Sequence, residues 1–240
     1  MRPAWCWRKR GVRRDQHEGE LRTALQLLGQ LPLAGRLVTG DALYCQRDFC
    51  ADVLAAGGDY LITVKQNQPA LYAAIVALFA SPPPGEQFAT AVQRDRHGDR
   101  FEVRRLAASG ALSEYLAWPG GQQVVRVVRT VRRKGQLTQQ VRYSITSLTA
   151  LAADGDATSL LRRRRGHWAI ENRLHWVRDE TFGEDASRIR SGAAPQVMAA
   201  LRNTVIGILR LARADNLAAA LRLLAWTPGA ALYLLGINLT

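Results

Sequence analysis

The feature that most narrows the fold is a repeated change of period between residues 18 and 80. "EGELRTALQLLGQLPLAG" (18–35) sets Leu21, Leu25 and Leu28 at helical spacing, and Pro32 and Gly35 stop it. "RLVTGD" (36–41) is a short apolar run ending on Asp41, which predicts a strand. "QRDFCADVLAAGG" (46–58) returns to helical spacing through Phe49, Val53 and Leu54, with Gly57 and Gly58 as the stop. "DYLITVK" (59–65) predicts a second strand and "QPALYAAIVALFA" (68–80) a third helix. The alternation predicts α/β layering with parallel strands.

Beyond "SPPPGE" (81–86) the pattern changes to alternating apolar and charged residues, with turn signals at His97-Gly98-Asp99 and Lys134-Gly135. Two antiparallel hairpins with one exposed face are expected. From Ser159 onward the chain reads as mostly helical, and residues 195–224 predict one or two packing helices.

Charge raises the question of partners. Thirty-three Lys and Arg against 20 Asp and Glu leave a formal charge of +13. Arg dominates, and its planar fork suits phosphate. A polyanion partner explains this balance, and so does an Arg-rich proteome. The 3 cysteines (Cys6, Cys45, Cys50) lack paired spacing, which argues against a disulfide framework or zinc module and fits a reducing cytoplasm. No apolar run reaches the ~20 residues that span a bilayer. The C-terminal "LAAALRLLAWTPGAALYLLGI" is interrupted by Arg222 and Pro228. "MRPAWCWRKRGVRR" has no signal-peptide core, so residues 1–15 are expected to form a disordered basic tail ahead of a domain at 16–240.

Two places can carry chemistry. Asp41 ends a strand, and in open α/β sheets ligands bind beyond strand carboxyl ends; it can equally cap the next turn. Glu171 lies on a helix predicted over about 159–178, with Ile170, Leu174 and Val177 as the apolar stripe. His167, Glu171 and His175 share one face at i, i+4 and i+8, and Arg178 lies near it. Zinc bound by the two His and the Glu, a solvated amphipathic helix, and a carboxylate completing a site with Asp41 are three readings that spacing leaves open.

The segments "VTGDALYCQRDFCADVLAAGGDYLITVKQNQPAL" and "YSITSL…RRGHWAIENRLHWVRDETFGEDASRIR" resemble the DDE transposases of bacterial insertion sequences. The likeness is to the branch whose Glu motif reads R-G-H-W-x-I-E-N-x-L-H-W, and it covers about residues 18–213. It implies an RNase H-like, retroviral-integrase-like α/β core with a β-rich insertion at about 82–147 and a helical C-terminal part. Asp41 matches the family's second catalytic Asp and Glu171 its Glu. The implied chemistry is DNA cleavage and strand transfer by two-metal phosphoryl transfer, with Mg²⁺ or Mn²⁺ held by Asp41 and Glu171. Lys65, Asn67, Gln68, His167, Asn172 and Arg178 are the expected DNA contacts. The partner would be double-stranded DNA, both element ends and target. A homodimer and a bacterial cytoplasmic location accompany this reading, with no membrane.

One departure shapes the expectation. The family's first Asp belongs about sixty residues ahead of the second, and here only 40 residues precede Asp41. The segment 18–31 already resembles the helix between the third and fourth strands. Asp15 follows a basic stretch without strand pattern and does not replace the missing residue. The resemblance thus implies an N-terminally truncated, inactive copy whose basic leader comes from a shifted frame or a wrong start. The alternative is a non-catalytic DNA-binding remnant that regulates transposition.

Overall fold

The structure, a computed structural model, describes residues 19–170 and 176–237. The chain divides into two compact units, one within Val12–His167 and one chiefly within Trp168–Thr240.

The first unit is built on a six-stranded sheet. Its strands are β1 (Leu37–Gly40), β2 (Asp59–Val64), β3 (Ala89–His97), β4 (Arg100–Ser109), β5 (Gln123–Arg133) and β6 (Gln136–Thr146), in spatial order β1-β2-β6-β5-β4-β3. The predicted helices appear as α1 (Glu20–Leu28), α2 (Arg47–Ala55) and α3 (Pro69–Ala80). Only β1 and β2 run parallel, with Leu37 beside Asp59 and Gly40 beside Ile62. The expectation of parallel strands therefore holds for this pair alone. Every other neighbour is antiparallel, and two-residue turns join β3 to β4 and β5 to β6. The second turn has positive φ at both Lys134 and Gly135, the twist that suits adjacent strands.

The β-rich segment expected at about 82–147 joins the β1–β2 sheet. β6 pairs along β2, setting Leu61 opposite Thr146 and Val64 opposite Tyr143, so the hairpins continue the β1–β2 sheet. The proximal half of the hairpins is also covered on both faces. Leu106, Ala107 and Ala108 are all buried in succession, as are Gln123, Val124 and Val125. One face packs under the first three helices, where Phe49, Val53, Ile75 and Phe79 meet Tyr60, Ile62, Val64, Val124 and Ile145. The opposite face packs under α4 (Ala157–Ile170), where Ala157, Leu160 and Leu161 meet Leu61, Leu106, Val125 and Val127. Burying a side chain such as Leu160 stabilises the fold by about 1.5–3 kcal/mol. The single exposed face expected of the hairpins is found only toward their tips.

Asp156 starts α4 by accepting from the amides of Thr158 (2.9 Å) and Ser159 (3.0 Å). The predicted 159–178 helix thus begins at Ala157 and is seen to Ile170; helical geometry is also seen at Trp176, followed by a π-turn over Val177–Thr181. The basic tail at 1–15 lies outside the described residues.

The second unit contains the π-turn, α5 (Ala194–Leu211), α6 (Leu217–Trp226) and α7 (Pro228–Leu234). Val177, Ile206, Leu209 and Leu217 form its core. Asn216 caps α6 through the Ala219 amide at 3.0 Å. α6 and α7 meet at a bend of 117° beside Pro228, and among the described residues no single helix is long and apolar enough to cross a membrane.

Candidate active site at the end of strand β1

β1 delivers Asp41 to an exposed position at its carboxyl end. The carboxylate caps a 3-10 turn, Ala42–Tyr44, with Oδ1 accepting from the Leu43 amide at 3.0 Å. Among the described residues Asp41 forms no ion pair. A solvent-facing oxygen donor without a cationic neighbour fits a hard divalent ion. The preceding Gly40 is buried, and a Cβ there would lie 2.9 Å from Ile62 Cδ1 and 3.1 Å from Tyr44 Cβ. Any larger residue here would make Ile62 or Tyr44 shift.

The loop carrying Asp41 is held from β2's far end. Asn67 Nδ2 donates to the Ala42 carbonyl at 2.6 Å. Gln68 Nε2 donates to the Cys45 carbonyl at 2.8 Å and to Gln46 Oε1 at 3.2 Å. These two amides, expected at DNA, are placed to brace the 42–46 loop. Lys65 is exposed and lines an open cleft of about 860 Å³ with Ala42, Leu43, Asn67, Val141 and Tyr143.

α4 reaches the same strand end from the other face. His167 Nδ1 lies 3.1 Å from Thr39 Oγ1, and Thr39 is two residues before Asp41. One turn earlier, buried Arg164 donates through Nε to Ser144 Oγ (3.1 Å) and through Nη2 to Thr63 Oγ1 (2.9 Å). Thr63 in turn donates to the Gly40 carbonyl at 3.3 Å. Burial, with the nearby Arg142 charge, lowers the Arg164 pKa to about 10, which leaves the group cationic at neutral pH. Arg164 and Thr39 were not singled out from sequence. The signal for Arg164 was its helical spacing from Ala157, Leu160 and Leu161, hidden inside the run "RRRR".

Glu171, Asn172 and His175 lie outside the described residues. Among the described residues no group of three or more His, Cys, Asp or Glu could hold a metal. Arg178, expected beside DNA, is buried at 2% exposure and pairs through both Nε and Nη2 with Glu184. That placement suits an internal brace. It also takes Glu184 away from the partners Arg188 and Arg190 that sequence proximity suggests. Trp118 is buried in the core with the Arg47 guanidinium 5.1 Å from its ring centroid.

The sequence matches the family model described as "Transposase DDE domain" over residues 11–208. The chain belongs to the DDE transposase-domain family. It is 31% identical over 210 residues to "Putative transposase YncI" of Escherichia coli O157:H7, which covers 83% of this chain and 52% of that protein. It is also 31% identical over 210 residues to "H repeat-associated putative transposase YhhI" of Escherichia coli K12, with 82% and 53% covered. The chain thus spans about half the length of the curated relatives it matches. Domains of this family typically use divalent metal ions, and Asp41 is a carboxylate without an ion pair among the described residues.

Proposed function

We propose that this chain contributes an RNase H-like catalytic core to DNA transposition, with cleavage and strand transfer of double-stranded DNA by two-metal phosphoryl transfer. Asp41 and Glu171 would hold Mg²⁺ or Mn²⁺. When bound, the ions polarise the phosphate and lower the pKa of the attacking water or hydroxyl. The observation that carries this reading is the Thr39–His167 hydrogen bond, which anchors α4 beside Asp41 and four residues before Glu171. Two residues fix the rest of the frame: Arg164 ties α4 to β2 and β6, and Asn67 ties the Asp41 loop.

Within the 240 residues the resemblance assigns no first Asp, so the chain supplies two of the family's three carboxylates. Two carboxylates hold a pair of divalent ions weakly, and we expect this chain by itself to cut DNA poorly or not at all.

The test does not depend on turnover. Fe²⁺ replacing Mg²⁺, with ascorbate and peroxide, cuts polypeptide close to the bound metal. The reading requires cuts clustered near both residue 41 and residue 171, suppressed by Asp41→Asn and by Glu171→Gln. Cuts near only one of them, or cuts indifferent to both substitutions, would overturn it. Nicking of element-end DNA with Mn²⁺, abolished by the same substitutions, would show catalysis directly. DNA binding without metal-centred cutting would favour a non-catalytic regulator.

A further inference from the structure

The distal half of the hairpin sheet separates charge between its two faces. Strands β3 to β6 contain two carboxylates, Asp95 and Glu102. Both lie on the α4 face and both are consumed there. Glu102 is 5% exposed and pairs with Arg100, Arg104 and Arg129. Asp95 pairs with Arg104 at 2.7 Å and with Arg165 of α4 at 3.2 Å.

The opposite face, the one α1–α3 cover nearer the core, is composed differently. The register sets three cross-strand rows there: Arg96–Phe101–Arg132–Leu137, Arg94–Val103–Thr130–Gln139, and Val92–Arg105–Val128–Val141. Arg94, Arg96, Arg105 and Arg132 are all exposed. None forms an ion pair among the described residues, and no row contains an acid. No arginine on this face stands directly opposite another, which limits their repulsion; Asp99 of the β3–β4 turn borders a hollow with Arg96 and Arg132 and pairs with Arg133 at 3.9 Å. Exposed Val92, Phe101, Leu137 and Val141 lie between them.

The next row inward, Thr90–Ala107–Arg126–Tyr143, leads to the candidate site. Tyr143 and Val141 line the same cleft as Ala42, Leu43 and Lys65. An anion lying on the arginine face therefore continues into the cleft that adjoins the Asp41 loop.

We propose that this face binds the phosphate backbone of duplex DNA and leads the duplex toward Asp41. The destination rests on the transposase reading, while the arginine face stands on its own geometry. Rows on one sheet face are ~6.8 Å apart and strands ~4.8 Å apart, so the four arginine positions cover roughly 14 Å along the strands and roughly 10 Å across them. Duplex DNA carries one charge per ~1.7 Å of its axis, enough to meet all four at once. Arginine forks take phosphate oxygens in pairs.

The experiment uses the full chain and a labelled 30-base-pair duplex, with affinity measured by fluorescence anisotropy across a salt series. The variant combines Arg94→Ala, Arg96→Ala, Arg105→Ala and Arg132→Ala, with circular dichroism and unfolding midpoint checked for an intact fold. A second variant changes the same four residues to Lys, preserving charge if the alanine protein misfolds. We expect the alanine variant to lose at least tenfold in affinity, and the log–log salt slope to fall by about 3–4. The lysine variant should keep the slope and lose only a few-fold. Unchanged affinity and slope would overturn the proposal, as would equal displacement by polyglutamate and by unlabelled duplex. Asp41→Asn should leave duplex affinity intact while removing metal-centred cutting. A failure of the arginine face and a failure of the metal site therefore register separately.

Discussion

Thr39 Oγ1 and His167 Nδ1 lie 3.1 Å apart, joining the strand that carries Asp41 to the helix that precedes Glu171 across 128 positions of sequence. A hydrogen bond in this half-buried setting contributes about 1 kcal/mol. Thr39→Val should lower stability by about that amount in urea unfolding. It should also weaken Fe²⁺-directed cutting near residue 171, whereas Thr39→Ser retains both. Equal cutting by the Val and Ser variants would show that the contact does not position the helix.

Asn67 and Lys65 separate loop bracing from DNA contact. Asn67→Ala removes the donor to the Ala42 carbonyl, so divalent-ion affinity should fall several-fold while duplex affinity stays nearly constant. Lys65→Ala should do the opposite, weakening duplex binding and reducing the salt slope by about 1. Mn²⁺ titration by electron paramagnetic resonance, beside anisotropy, reads the two effects independently.

Buried Arg178 pairs with half-buried Glu184 in the second unit. Glu184→Gln leaves a buried guanidinium uncompensated and should cost about 3–5 kcal/mol. The double change Arg178→Met with Glu184→Leu should cost markedly less, since no charge is left buried. Denaturant unfolding followed by circular dichroism measures both, and a double variant as damaged as the single one would contradict this account.

Glu102 gives the arm an acid limit. The Arg129 hydrogen bond, followed by Arg100 and the Arg104 charge, holds its pKa down from 4.5 to about 2. A carboxylate depressed in the folded state adds stability above its unfolded pKa and loses it as pH falls through the folded one. Stability should therefore drop between about pH 4.5 and pH 2 through this group. Glu102→Gln should flatten that limb and lower stability at pH 7. A limb unchanged in the Gln variant would assign acid sensitivity elsewhere.

Cys45 and Cys50 are fully buried, and burial raises their pKa values to about 12 and about 11. Neither thiolate is populated at pH 8, so alkylation of the native chain should spare both residues while denatured chain reacts at each. Peptide mapping by mass spectrometry decides this, and rapid native labelling at either site would mean that α2 opens readily.

The helices and strands of 18–80 were legible because their periods change cleanly and glycines mark the breaks. The two hairpins were legible from Gly98 and Gly135. The pairing of β6 with β2 was not, because register between segments about 80 residues apart leaves no local trace. Consecutive buried residues such as Leu106, Ala107 and Ala108 signalled two-sided burial, but alternation farther along the same strand masked them. At the site, the position of Asp41 at a strand end was readable. The roles of Asn67 and Gln68 were not, since an amide that holds a loop and an amide that grips DNA have the same sequence. Arg178 shows the same limit in another form, because Glu184 reaches it only through the turn that follows.

The unbroken hydrogen-bond ladder from β1 through β2 to β6 also limits how this protein can be rebuilt. Excising the hairpins would strip β2 of a partner along Leu61–Val64 and bare the core beneath it, so the arm is no exchangeable cassette. Any lineage or engineer seeking a different DNA grip would have to repaint its surface, residue by residue, on a scaffold that cannot be cut away.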